Sequence, residues 1–243
     1  MSLPELVSDF YQVVLRGNFR PVTISPIWLR DHDLIGDPEL EEAVFEILIP
    51  NEIALFNAGW LRCQATQDNL TLQTDQQAEV ERLRDLAIGI LLLSEERPVS
   101  LLGINRLTHF IVANADQWHS IGDHVVHNEL WDGILNIAGM RVATYWGQRS
   151  DKYAGRIQVQ VEPFFTVPFG IAVSYNDHYD LTTVAKQPTT RSELNALNRP
   201  ENIEATIEKI AIAIEVLTDQ WEASSQLSTR VIERVAEQAG KQL

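Results

Sequence analysis

Four of the six histidines in this 243-residue chain fall between positions 109 and 127. At about 100° per residue, a helix would bring Asp116, His119, Asp123 and His127 within about 80° of one another. Two imidazoles and two carboxylates on one face suit zinc, manganese or iron, so a divalent metal is the one cofactor these residues could hold. The same geometry limits the idea, because one straight helix cannot surround an ion and the two histidines at 119 and 127 stand about 12 Å apart. At most one adjacent pair, such as His119 with Asp123, could join ligands from elsewhere. Trp118, Ile121 and Val125 occupy the opposite side, so a solvated face of an amphipathic helix is the competing reading and no cofactor is predicted.

A second polar group, Asn176-Asp177-His178-Tyr179-Asp180, follows the strand-like run Ile171 to Tyr175. Asp177 could orient His178 for acid/base work at a strand end, although Asn-Asp is also ordinary turn chemistry. Glu162 and Arg141 lie on neighbouring predicted strands; they complete the catalytic candidates, with a cross-strand polar pair as the alternative for each. Cys63 is the only cysteine and sits in the strand-like Trp60 to Gln64, which reads as a buried thiol rather than a nucleophile. The phosphate-binding glycine loops and the Gly-x-Ser-x-Gly elbow are absent from the sequence.

Those residues must be positioned by regular elements. The spacing predicts a helix over 4–16, an edge strand over 19–29 carrying Pro21 and Pro26, and a helix over 39–48. A hairpin over 53–74 and a long helix over 76–95 follow. Next come a strand over 99–113, a helix over 116–135, three antiparallel strands at 140–148, 156–163 and 170–175, and an irregular stretch to Pro200. One very long helix should then run to about Gln242. The fold class is α+β, a largely antiparallel sheet with covering helices. The element order suggests a β-α-β-β-(β)-α plan used twice. Residues 1–200 would form a single domain with halves at about 19–97 and 98–181, and 201–243 a helical packing or oligomerisation element.

The last helix carries Ile203, Ile207, Ile210, Ile214, Leu217 and Trp221 at spacings of 4, 3, 4, 3 and 4. That is the rhythm of a packed seam, to be covered by the chain's own sheet or by another chain. The expectation is an interface, most simply in a homo-oligomer and otherwise with a protein partner.

The excess of 34 acidic over 19 basic residues gives a net charge of −15, which disfavours general binding to nucleic acid or anionic lipid. No apolar run reaches the roughly 20 residues of a membrane span, so no membrane partner is expected. One cysteine and the lack of a basic-then-apolar leader predict a cytoplasmic protein.

Gly103-Ile104-Asn105 to Phe110, Trp118-His119, Gly122, Trp131, Gly139-Met140-Arg141, Val159-x-Val161-Glu162-Pro163 and Asn176 to Leu181 together resemble a sporadically distributed family of uncharacterised bacterial proteins. The resemblance covers roughly residues 100–181 and implies a bacterial setting, with no activity or cofactor attached. The leading functional expectation is a non-enzymatic binding or assembly protein, such as an accessory subunit, using an exposed sheet surface and the last helix. The alternative is a metal-dependent or acid/base hydrolase built from the His/Asp helix face and the Asn-Asp-His strand end. A third reading is an acidic nucleic-acid mimic.

Overall fold

Alternation with period two, rather than a helical repeat, governs the first element. In the computed structural model, which describes residues 4–93, 97–126, 128–136, 138–184, 190 and 204–240, Glu5–Gly17 form strand β1. A helix was expected from Leu6, Val7, Phe10, Val13 and Val14 sharing one side; instead Tyr11, Val13 and Leu15 alternate into the core. β-branched and aromatic side chains fit a pleated surface, and β1 has a strand on either side, β5 (Asn69–Thr74) and β6 (Val99–Ile111), both antiparallel.

Local chemistry explains the other departures. The expected strand over 19–29 gives way to helix α1 (Pro26–Asp31), because Ser25 Oγ accepts the Trp28 N–H at 3.2 Å and Pro26 occupies the first turn. The expected helix over 39–48 divides into a short α2 (Asp37–Glu41) and strand β2 (Val44–Ile49), whose β-branched run suits a strand. Strands β3 (Ile53–Ala58) and β4 (Leu61–Thr66) complete a meander into β5, and α3 (Val80–Leu92) follows.

After β6 come α4 (Ala115–Val125), β7 (Ala143–Gln148), β8 (Tyr153–Phe164) and β9 (Gly170–Thr183). Helix α4 stops ten residues before the expected Leu135 and is followed by a 3-10 turn at Asn128–Trp131. Strand β9 continues beyond the expected end at Tyr175, since β6 and β8 pair with it on both sides through Tyr179. The expected single helix is two, α5 (Glu208–Asp219) and α6 (Trp221–Ala236), meeting at Gln220. At that joint Trp221 Nε1 donates to Glu81 of α3 at 3.1 Å, which holds the buried indole.

The fold is α+β. Its nine-stranded antiparallel sheet has the order β2-β3-β4-β5-β1-β6-β9-β8-β7, so β1 is the central strand, with β6 beside it. Helices α3 and α5 cover a core that includes Val13, Leu15, Leu72 and Leu102. A second core joins Ile121 of α4 and Val235 of α6 to Phe110, Val161 and Val173. No described helix is long and apolar enough to cross a membrane.

The seam of the last helices is spent within the chain. Ile210, Leu217 and Trp221 belong to the main core and Ile214 packs against it, whereas Ile207 is exposed. Ile203 lies outside the described residues. Ile210, Ile214, Leu217 and Trp221 are thus packed within the chain's own core and are not free for an interface, while Ile207 stays at the surface. Leu217→Ala should lower stability by about 2–5 kcal/mol, and Leu217→Glu should unfold the chain. Denaturant titration with light scattering checks both, and a folded Leu217→Glu protein of reduced mass would contradict the assignment.

Candidate functional site: the sheet face opposite the described helices

Successive strand residues point to opposite faces of a sheet. With the described helices on one face, the residues between the buried positions define the other. Register places Asn57, Arg62, Gln73, Gln12, Asn105, Asn176, Gln158 and Trp146 in one row across β3, β4, β5, β1, β6, β9, β8 and β7. Five consecutive members, from Gln73 to Gln158, are uncharged amides.

The ends of the row are tied by hydrogen bonds and its centre is not. Gln12 Nε2 donates to Gln73 Oε1 at 2.7 Å, and Trp146 Nε1 donates to Gln158 Oε1 at 2.8 Å. Asn57 and Arg62 both donate to Glu46. The side-chain carbonyl oxygens of Asn105 and Asn176 are shielded and accept no hydrogen bond from the described residues. Gly103 leaves room for the Asn105 amide, whose oxygen would lie 3.1 Å from an added Cβ. A primary amide donates and accepts at once, so this row can satisfy a peptide group of either orientation.

Two histidines share the face. His178 Nε2 lies 3.0 Å from Asp180 and faces Arg156 across β8, where the guanidinium covers Trp146 at 4.6 Å. His109 Nδ1 lies 2.8 Å from Ser8 Oγ, and its ring stacks on Phe164 at 4.0 Å. Burial holds the His109 pKa below the ordinary 6.5, against an upward pull from Glu162.

The catalytic candidates are not brought together. Asp177 and His178 are neighbours within β9, not at its end, and consequently face opposite sides. Asp177 is buried on the helix side, bonded to the Arg149 guanidinium and to Tyr179 Oη at 3.1 Å. Arg149 also bonds Asp151 and lies 3.6 Å over the Tyr179 ring. Burial and Asp177 push the Tyr179 phenol up, so it remains a donor. Glu162 is on the open face, but about 20 Å along β8 from the Arg156 that faces His178. Arg141 is exposed and sits 5.4 Å over Phe165.

On α4, Asp116 and His119 are exposed and Asp123 accepts from Asn128 at 2.6 Å. His127 lies outside the described residues. Among the described residues no three His, Cys, Asp or Glu side chains are grouped to hold a metal ion. Cys63 is buried in β4, and desolvation pushes its thiol well above the ordinary range, away from nucleophilic chemistry.

The amide row has no contiguous sequence pattern, because it depends on which strands are neighbours. Its local trace is the polar position between two inward-facing ones: Gln12 between Tyr11 and Val13, and Gln73 between Leu72 and Thr74. The chain matches no family model and no curated protein.

Breaking the buried pair with Asp177→Ala or Arg149→Ala should each cost about 3–5 kcal/mol, and the double variant should cost less than the sum. Denaturant unfolding of the four proteins tests this; additive losses would contradict it. For His109, the native ring protonates at lower pH than the unfolded one. Its stabilising contribution is therefore complete above pH 6.5 and declines as pH falls toward the native pKa. Stability measured against pH should show this decline, and His109→Phe should remove that part of it.

Proposed function

We propose that the protein is a non-enzymatic binding protein, an accessory subunit of a larger assembly in the cytoplasm, which receives a polypeptide partner on the open sheet face. The observation that carries this reading is the row of five amides at the middle of that face, contributed by five neighbouring strands. Uncharged groups of this kind match the amides of a peptide main chain and do not supply a nucleophile or a general base. Flanking apolar positions, including Phe10, Val14 and Leu107, add contact area beside the row.

A photo-cross-linking residue at Gln158 tests the reading in cells. It should join the protein to one discrete polypeptide, while the same residue at Glu222, exposed on α6, should not. Equal products from the two positions, or none from Gln158, would contradict it.

A hydrolytic reading has one contact in its favour, the 2.8 Å approach of Ser8 Oγ to a His109 ring kept neutral by burial. A fluorophosphonate that labels Ser8 in the parent and not in His109→Ala would support it. An unlabelled parent would remove it.

A further inference from the structure

We infer that the outer edge of β2 is a second docking site, one that adds an extended strand of another protein, apolar in its middle and basic at its ends. β2 ends the sheet and pairs only with β3, so its outer row of backbone donors and acceptors faces no described strand. Val44, Phe45, Ile47, Leu48 and Ile49 are each 41–61% exposed. They lie on both sides of the strand. Phe45 and Leu48 stand opposite Phe56 and Ala54 of the covered face, whereas Val44, Ile47 and Ile49 stand opposite Asn57, Leu55 and Ile53 of the open one.

Natural edges are usually guarded by lysine, proline or a charge placed where a new strand would land. β2 contains neither lysine nor proline, and the chain has no lysine before Lys152. Its one charge, Glu46, is exposed but engaged toward the inner strands. A bulge between Phe45 and Ile47 sets it aside, and both oxygens are taken by Arg62, at 2.5 and 2.9 Å, with Asn57 at 2.6 Å.

Charge selects the occupant. Glu41 and Glu42 precede β2 and Glu52 follows it; all three are exposed, and none has an ion pair among the described residues. A second copy paired antiparallel through β2 would set Glu41 and Glu42 of each chain against Glu52 of the other, so self-pairing is repelled. A foreign strand with Lys or Arg at both ends meets opposite charge at both. The five residues together expose roughly 400 Å², divided between the two faces of the strand, so that an added strand would find apolar neighbours on either side. With the backbone edge and the partner's matching surface, the total approaches the roughly 1,000 Å² of a specific interface. Main-chain bonds would supply affinity, and the flanking charges would supply orientation-independent selectivity.

This site is independent of the amide row, and the Gln158 cross-link tests the row alone. For β2, the probe is a fluorescein-labelled peptide of alternating valine and threonine with two arginines at each end, compared with a counterpart ending in glutamates. Fluorescence anisotropy with the full chain should show at least about tenfold tighter binding of the basic-ended peptide, with the preference narrowing as salt is raised. Ile47→Lys, an exposed guard charge, should weaken that binding about tenfold or more. Reversing Glu41, Glu42 and Glu52 to lysine should invert the preference between the peptides, with circular dichroism unchanged. Equal binding of both peptides, no binding, or indifference to Ile47→Lys would overturn the inference. So would a dimer that Ile47→Lys dissociates, which would assign the edge to a second copy.

Discussion

The antiparallel pairing of β1 with β6 is the constraint on which the rest of the structure depends. It runs from Glu5 opposite Ile111 to Gly17 opposite Val99, and it joins the meander β2–β5 to the strands β7–β9. Its covered face is closed by a charged clamp as well as by apolar packing. Arg106 of β6 grips Asp9 of β1 through two bonds at 2.9 and 2.6 Å, lies 4.8 Å over the Tyr11 ring and reaches Thr229 of α6 at 2.8 Å. Thr108 adds a bond to Asp9 at 2.7 Å. Because the groups are largely desolvated, the clamp adds little net stability, but loss of either partner would leave a buried charge unpaired. On the other face the same register sets Gln12 beside Asn105, and the amide row follows from it. A slip of one residue would turn Gln12 into the core and Val13 out of it.

Burial of unlike groups on the two faces also explains why a contiguous motif fails as a site. Asp177 and His178 are adjacent in sequence and separated by the sheet. The carboxylate anchors Arg149 and thereby the β7–β8 connection against the core, while the imidazole belongs to the open face with Asp180. The relevant neighbours of His178 are two residues along its own strand or across the ladder at Arg156. Chemistry on this sheet is organised by rows that cross strands.

The elements with one strong local signal were legible in the sequence. Leu83, Leu86, Ala87 and Ile90 gave α3 its buried side, and the apolar run from Val99 gave β6. Residues 5–17 were misleading because their apolar positions satisfy both a helical and a strand period, and only two flanking strands decide between them. Ser25-Pro26 did carry a helix-start signal that the prolines obscured when read as edge-strand breakers. The seam from Ile207 to Trp221 was real as a pattern, but spacing alone cannot say whether a sheet or another chain covers it. The amide row has no contiguous signature at all, since its members come from five separate strands, β5, β1, β6, β9 and β8. We propose that the doubled element plan reflects duplication, with β5-β4-β3-β2 running outward from β1 and β9-β8-β7 outward from β6; β1 then belongs to the first half, which the boundary at 19 excluded.

Native-state hydrogen exchange resolved to single amides tests the dependence on β1–β6 most directly. If this pairing holds the sheet together, the slowest amides are those of β1 and β6 around Val13 and Ile104. They should exchange only with global unfolding, their free energies matching that from denaturant, while β2 opens at much lower cost. Amides of β1 and β6 that exchange by a local opening, with β3–β5 or β8–β9 still protected, would contradict the account.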